Sequence, residues 1–449
     1  MNIKEKGILL PIFSLPSKYG IGDFGYEAYE FIDILSENNI EYWEILPINA
    51  CDKLPYSPIS YYALNEYYIS LDKLKEMGLI RSPEHKEKKS RITYDDFKFK
   101  YYKEAYNNFV ETDEYYKFKE NIKILQYAEY MNATAGEEKE YYIFLQYILD
   151  KQWNELKTYA NSKNVRIIGD MPIYPAFNSS EVKYDEKYFE LEDGKMLYMG
   201  GTPPDHFDEN GQKWGTPVYN VDKIKEYNYE YLLNRYKEYL KRFDIVRIDH
   251  FRGYDSFFKI PINGMGKDGY YSTGVSYGFF DELFKITTPE RFIIEDLGDI
   301  REETIKLREC YNFTRQKILQ NGIDLDNLAD SETDVENIVI YPGNHDWNTI
   351  LGWYKKMSLK QKINLRRFLN KNKCNMMNIS KGIIQYCLKS KAKIAIIAMQ
   401  DILRLDDSAR INLPGSQKVE NWSWEMIDFN GFRKKVTILK ETKELTKKK

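Results

Sequence analysis

The sequence predicts an α/β fold, a (β/α)8 TIM barrel with long insertions between its strands. Three observations lead there. Short β-branched runs recur along the chain with helical patterns between them, the arrangement that builds a parallel sheet. Most of these runs end in an acid or an amide, and a barrel's chemistry collects at the carboxyl ends of its strands. The length, 449 residues, suits one barrel carrying insertions, since such barrels run from about 200 to over 400 residues.

Gly7-Ile-Leu-Leu10 is the first run. A helix is expected after it, because Ala28, Phe31, Ile32 and Leu35 recur on one stripe. Glu41-Tyr-Trp-Glu-Ile-Leu-Pro47 is the second run and Val165-Arg-Ile-Ile-Gly-Asp170 the third. Between them, residues 52–160 are too long for a simple crossover; their Tyr- and Lys-rich helical patterns predict a mostly helical insertion. The fourth run is Phe243 to Asp249. Residues 175–240 before it are rich in Gly, Pro and Asp and predict a loop-rich insertion, of the kind that forms lids and binding loops. Arg291-Phe-Ile-Ile-Glu295, Asn337-Ile-Val-Ile-Tyr341 and Lys393-Ile-Ala-Ile-Ile-Ala398 complete the clear set. The missing eighth strand is assigned to the weakest pattern, Phe313-Thr-Arg-Gln-Lys-Ile318. Residues 361–390 read as helical, with Ile363, Leu365, Phe368 and Leu369 apolar among Lys and Arg. No repeat or low-complexity linker divides the chain, so residues 1–449 are expected to form a single catalytic domain.

Composition narrows the function. A net charge of -3 and a pI near 6.0 give no basic footprint for nucleic acid or an anionic membrane. No apolar run reaches membrane-spanning length. The Gly7 to Phe13 run contains Pro11 and lacks a signal-peptide cleavage pattern. Four cysteines without CxxC spacing suit a reducing, cytoplasmic setting. The 39 tyrosines suit sugar rings, but in a Tyr-, Lys- and Asn-rich chain most of them are equally explained by compositional drift. Oligomeric state is not legible.

The central run carries the first chemical signal. Residues two apart share a face of a strand, so Arg247 and Asp249 stand together where β structure ends. A guanidinium there orients a carboxylate, and a structural ion pair would look the same. The other strand ends move that balance: Asp170, Glu295-Asp296, His345-Asp346 and Gln400-Asp401 repeat the pattern. Three of the four histidines, His206, His250 and His345, lie in these polar segments, and His85 reads as surface. Carboxylates, an Arg and a His without a Ser or Cys nucleophile motif suit glycosidic-bond cleavage, which needs one acid to protonate the leaving oxygen and one carboxylate to trap the oxocarbenium-like carbon. The rival is a metal site, since His345-Asp346 resembles a metal-dependent phosphohydrolase's pair. No HxH, HExxH or CxxC spacing anchors a cation, and no P-loop or GxGxxG follows a strand.

These segments also resemble a known family, the 4-α-glucanotransferases (amylomaltases) of glycoside hydrolase family 77 in the α-amylase clan. The resemblance rests on Ser14-Leu-Pro-Ser-Lys-Tyr-Gly-Ile-Gly-Asp-Phe-Gly25, Tyr42-Trp-Glu-Ile-Leu-Pro47, Pro55-Tyr56-Ser57, Gly169-Asp-Met-Pro-Ile-Tyr174 and Pro203-Pro-Asp-His-Phe207. It continues through Gly211-Gln-Lys-Trp-Gly-Thr-Pro217, Arg247-Ile-Asp-His-Phe-Arg-Gly253, Glu295-Asp-Leu-Gly298, His345-Asp346, Gln400-Asp401, Ala409-Arg-Ile-Asn412 and Asn421-Trp-Ser-Trp424.

The resemblance implies transfer of α-1,4-glucan segments to the 4-hydroxyl of an acceptor glucan by a retaining double displacement, with no metal or cofactor. It implies Asp249 as nucleophile, Glu295 as acid/base and Asp346 as transition-state stabiliser. Arg247, His345, Asp170, Tyr56, Trp214 and Asn412 are the expected substrate-binding residues. Arg247 is expected to keep Asp249 ionised, and Glu295 to sit in a less compensated environment that favours its protonated form. Residues 200–220 and 262–276 are expected to form a Gly-rich, aromatic rim that excludes water. A plain α-glucan hydrolase and a silent glucan-binding protein stay open as alternatives. The departures are Asn344 and Trp347 around the third carboxylate, Glu425 after the Trp pair, and the unusual stretches 264–274 and 312–322.

Overall fold

Eight parallel strands close on themselves. The computed structural model describes residues 4–86, 91–92, 94–204, 209–298, 300–330, 335–416 and 418–439. The barrel strands are β1 (Glu5–Leu9), β2 (Tyr42–Glu44), β3 (Arg166–Met171), β4 (Ile245–Ile248), β5 (Phe292–Ile294), β6 (Thr314–Ile318), β7 (Ile338–Tyr341) and β8 (Ile394–Ala398). Each pairs in parallel with the next, and β8 pairs with β1. Every run expected as a strand is one, including the weak sixth. Its pattern is weak because its polar residues are buried against specific partners: Gln316 meets Arg247, and the Lys317 ammonium donates to Asp330 at 2.5 Å. The apolar ladder positions Ile293, Ile294, Val339, Ile340, Ile396 and Ile397 are at most 1% exposed, each worth about 1.5–3 kcal/mol of burial.

The helices form the outer layer. Tyr26–Glu37 buries Ala28, Phe31, Ile32 and Leu35, the expected stripe. Within 52–160 the helices are Leu71–Glu76, Phe99–Asn108, Asp113–Lys119, Ile122–Ala135 and Lys139–Ser162. The last is the crossover onto β3; its Trp153 packs against Phe24 and Phe243, with ring centroids 5.2 and 5.6 Å away. Lys98, at the start of the Phe99–Asn108 helix, is buried and donates to Asp23 Oδ2 (2.6 Å), Tyr67 O (2.9 Å) and Ile69 O (3.0 Å). That clasp ties the insertion to the loop after β1. Gly169 is required where it stands: a Cβ there would lie 2.3 Å from the Phe243 ring.

Two expectations change. Residues 361–390 are two helices, Leu359–Lys371 and Ile379–Lys389. Between them Lys373 adopts a left-handed backbone (φ 55°), and Asn378 caps the second helix by accepting from Lys381 N–H at 3.0 Å. Asparagine competes for backbone donors and so ends helices. The stretch 175–240 is also more ordered than loop-rich: it holds the helices Ser180–Tyr184, Val221–Glu226 and most of Glu230–Arg242, and the strands Tyr198–Gly201 and Lys213–Pro217. Those strands join Ser256–Pro261 and Tyr270–Thr273, from beyond β4, in one antiparallel four-stranded sheet. The expected Gly-rich rim is therefore built partly on hydrogen-bonded strand. His206 lies outside the described residues. Among the described residues no helix is long and apolar enough to cross a membrane.

Candidate active site

The sheet itself positions the central carboxyls. Asp170 of β3 stands opposite Arg247 of β4 in the parallel register. The ladder then runs past the strand ends: Asp249 N–H donates to Met171 O (3.2 Å), Glu295 N–H to Ile248 O (3.0 Å) and Phe251 N–H to Glu295 O (2.9 Å). At His250 the backbone turns left-handed (φ 47°), a conformation in which His is tolerated at modest cost. That turn aims His250 N–H at Glu295 Oε2, 3.0 Å away.

Arg247 is 1% exposed and holds the cluster. Its Nη1 donates to Asp170 Oδ1 (2.7 Å) and Asp249 Oδ1 (3.2 Å), and its Nε to Gln316 Oε1 (3.0 Å). Its Nη2 lies 3.0 Å from Glu295 Oε2 as a charge contact. Burial, then the Glu295 charge, push the Asp249 carboxyl well above the usual carboxylate range against the pull of Arg247. Glu295 goes the other way. Burial would raise it, but Arg247, His250 N–H and the neighbouring Asp249 carboxyl bring it below its ordinary value. Arg247 thus serves both carboxyls rather than Asp249 alone, and Glu295, expected in a less compensated environment, also gains the His250 donor.

The end of β7 supplies the third carboxyl. Asn344 Oδ1 accepts from Asp346 N–H (3.0 Å), so the departure at Asn344 builds the turn that presents Asp346. Asp346 Oδ1 accepts from Asn412 Nδ2 (2.7 Å), and Oδ2 lies 3.3 Å from His345 Nε2. The Arg410 guanidinium donates to Asp346 O. Burial would raise Asp346, but the His345 charge and hydrogen bond, with Asn412, hold it at about 2. His345 in turn is raised: burial opposes its charge, and Asp346 outweighs burial.

The expected binding residues are brought together with different duties. Tyr56 donates to Asp170 Oδ2 (2.6 Å), meets His345 Nε2 at 2.9 Å, and stacks on the His345 ring at 5.2 Å and 19°. One face of Tyr56 is thus already covered by His345. Asn412 spends its amide on Asp346. Trp214 stands edge-on to His250 at 5.0 Å and 87°, at the margin of the cluster.

Sequence reasoning passed over Glu44, Gln316 and Tyr341. Glu44 ends β2, is 1% exposed and accepts from Tyr341 Oη at 2.6 Å; burial pushes it up to about 7. Its signal was the one used elsewhere, an acid ending a β-rich run, hidden because the apolar pattern continues to Pro47. Among the described residues no group of three or more His, Cys, Asp or Glu is placed to hold a metal ion.

A (β/α)8 barrel whose strand ends gather two carboxyls on one guanidinium, with a third beside them, is an architecture for enzymes that act on glycosidic bonds. Comparison with known proteins makes the assignment particular. The family model for 4-alpha-glucanotransferase matches residues 10–137 and 112–429, and the chain belongs to that family. It is 33% identical to the 4-alpha-glucanotransferase of Streptococcus pneumoniae serotype 4, over 95% of this chain and 94% of that one. It is 32% identical to that of Aquifex aeolicus, over 94% and 95%. The amylomaltase of Streptococcus agalactiae, solved in complex with acarbose, superposes with a TM-score of 0.91 at 28% identity, covering 98% of this chain and 99% of that one.

Proposed function

We propose that this 4-alpha-glucanotransferase moves α-1,4-glucan segments by a retaining double displacement in which Asp249 is the nucleophile and Glu295 the acid/base. The observation that carries the assignment is that one buried guanidinium, Arg247, touches both carboxyls, at 3.2 Å and 3.0 Å. Retaining enzymes hold their two carboxyls about 5–5.5 Å apart and inverting enzymes about 6.5–9.5 Å, and a pair gathered on one guanidinium suits the closer spacing.

In the reactive form the pair holds one proton, on Glu295, when a donor glucan brings its glycosidic oxygen there. Asp249, ionised beside Arg247, attacks the anomeric carbon as Glu295 protonates the departing oxygen. The glycosyl unit is then held on Asp249 and Glu295 is a carboxylate. It takes the proton from an acceptor's 4-hydroxyl, and that oxygen displaces Asp249. Asp346, kept ionised by His345 and Asn412, binds ring hydroxyls more tightly as the ring distorts towards the transition state. Tyr56, His345, Arg247 and Asp170 form the floor of the donor subsite, Asn412 fixes Asp346, and Trp214 borders the acceptor side.

The chain acts as one catalytic domain over residues 1–449, on α-1,4-glucans and maltooligosaccharides, in the cytoplasm. The four cysteines are all free thiols, which suits a reducing compartment. Incubation with maltotriose tests the reading. A ladder of longer and shorter maltooligosaccharides is expected. Mostly glucose and maltose would make the enzyme a hydrolase, and retained binding without turnover would make it a silent binder.

A further inference from the structure

Against His345 lies a small pocket whose lining includes the apolar Leu9 and Ala398 and the polar Asn344, His345, Asn348, Gln400 and Asp401. Asn344, His345, Gln400 and Asp401 are each at most 5% exposed. His345 Nδ1, Asn344 Nδ2, Asn348 Oδ1 and both amide atoms of Gln400 have no hydrogen-bond partner in the protein. Asp401 gives one oxygen to Ile350 N–H at 2.7 Å. A buried polar group without a partner costs about 1–3 kcal/mol, so five such atoms around one pocket are not left dry. Donors and acceptors are mixed on its walls, and a water needs two to four such partners.

The Nδ1 atom makes the pocket matter for the site. Tyr56 gives its own proton to Asp170, so its oxygen accepts from His345 Nε2, and Asp346 accepts there too. Nε2 is therefore protonated. When His345 is cationic its Nδ1–H must also donate, and acceptors for it face the pocket: Gln400 Oε1, Asn348 Oδ1 and the Asp401 carboxyl. We propose that the pocket is a solvent relay through which Gln400 and Asp401 hold the Nδ1 proton of His345, making Asp401 a positioning residue for the donor subsite. His345, so held, keeps its ring against Tyr56 and its charge on Asp346. The other charged groups around His345 are Asp170, Glu44 and Arg247 within the barrel and Arg410 on the pocket wall. Burial places the Asp401 carboxyl at about 7, so it can give or take a proton near neutrality. The inference rests on the donor-subsite reading of His345 and Asp346, but the relay is testable in the free protein.

The chain has four histidines, so His345 can be followed by NMR through its ring proton and assigned with His345→Gln. Asp401→Asn keeps the acceptor for Ile350 N–H and removes the charge. Gln400→Leu removes both unpartnered amide atoms. In each variant the His345 midpoint is expected to fall by about one pH unit, the size of an ordinary single-neighbour shift. The alkaline limb of kcat/KM for transfer should fall by the same amount. Folded variants with an unmoved His345 midpoint, even with lowered Tm, would overturn the relay. Should neither variant fold, a high-resolution crystal structure of the parent decides: water bonded to Nδ1 supports it, and a dry pocket overturns it. Failure of the maltotriose test would leave the NMR result standing, so the two readings fail separately.

Discussion

The Arg247 guanidinium touches the carboxyls of both Asp249 and Glu295, at 3.2 Å and 3.0 Å. Asp249→Asn keeps a group that can face Glu295 and Arg247 but cannot form a glycosyl ester. Maltotriose turnover is expected to drop more than about a hundredfold, since a lost covalent nucleophile costs several kcal/mol of barrier. Circular dichroism and Tm should stay near the parent's. A folded variant that retains more than that hundredth removes Asp249 as nucleophile.

Glu295→Gln separates the two carboxyls electrostatically. The Glu295 charge is, after burial, the main influence raising Asp249, so its removal lets Asp249 ionise at lower pH. With a maltosyl fluoride, whose leaving group needs no protonation, the first step should survive, and the acid limb of its pH–rate profile should move downwards. A limb that stays put or moves up means that Asp249 is not the group being titrated.

Asp346 predicts an acid-stability effect. Its carboxyl is held at about 2 against an ordinary 3.8. A lowered folded value adds stability above the unfolded pKa, and that stability is lost as pH falls towards the folded one. The side chain is 31% open to the cleft, so screening reduces the contribution to about 1–2 kcal/mol. Asp346→Asn should abolish transfer and flatten the stability curve between about pH 4 and 2. Urea midpoints measured across that range give the answer; parallel curves for parent and variant would rule the contribution out.

The Lys98–Asp23 clasp is buried at both ends, with side chains 2% and 6% exposed. Lys98→Met leaves the Asp23 carboxyl buried without its cation and is expected to cost about 3–5 kcal/mol. Adding Asp23→Leu should restore much of it, because the stranded charge is gone. Urea unfolding of the single and double variants measures both. A double variant no more stable than the single would mean that the clasp is not acting through charge.

Gly266 joins the two halves of the rim. A Cβ there would meet Asn210 O at 2.1 Å, and Lys213 Nζ donates to Gly264 O at 2.9 Å alongside. Gly266→Ala should push the Tyr270–Thr273 hairpin off the 209–213 segment and raise glucose release relative to transfer, because closure excludes water from the glycosyl-enzyme. A fall in Tm with an unchanged ratio of hydrolysis to transfer would make the rim mere packing.

The barrel was legible because its signal is local: β-branched runs spaced by amphipathic helices, most of them ending in an acid or an amide. Even Phe313–Ile318, whose polar residues disguise it, had to be a strand for the circle to close. The carboxyls that the structure gathers, Asp249, Glu295 and Asp346, were legible as strand-end residues. What lay hidden was relational. Nothing at Gln316 or Glu44 announces that each meets a residue distant in sequence, Arg247 and Tyr341. That Glu295 receives the His250 N–H depends on a backbone angle, the left-handed turn at His250. The sheet uniting 198–217 with 256–273 was missed because its central pair, Tyr198–Gly201 with Ser256–Pro261, joins segments on either side of β4.

The pairing of Glu5 with Ile394 has a consequence for how the protein is made. The strand synthesised first waits for nearly the whole chain before its second neighbour exists. Until β8 emerges from the ribosome, β1 and β7 present unpaired edges, the sort of surface that invites association between unfinished chains. Asp249 and Glu295 are by then already translated, yet the circle of strands that holds them beside one another closes only with β8.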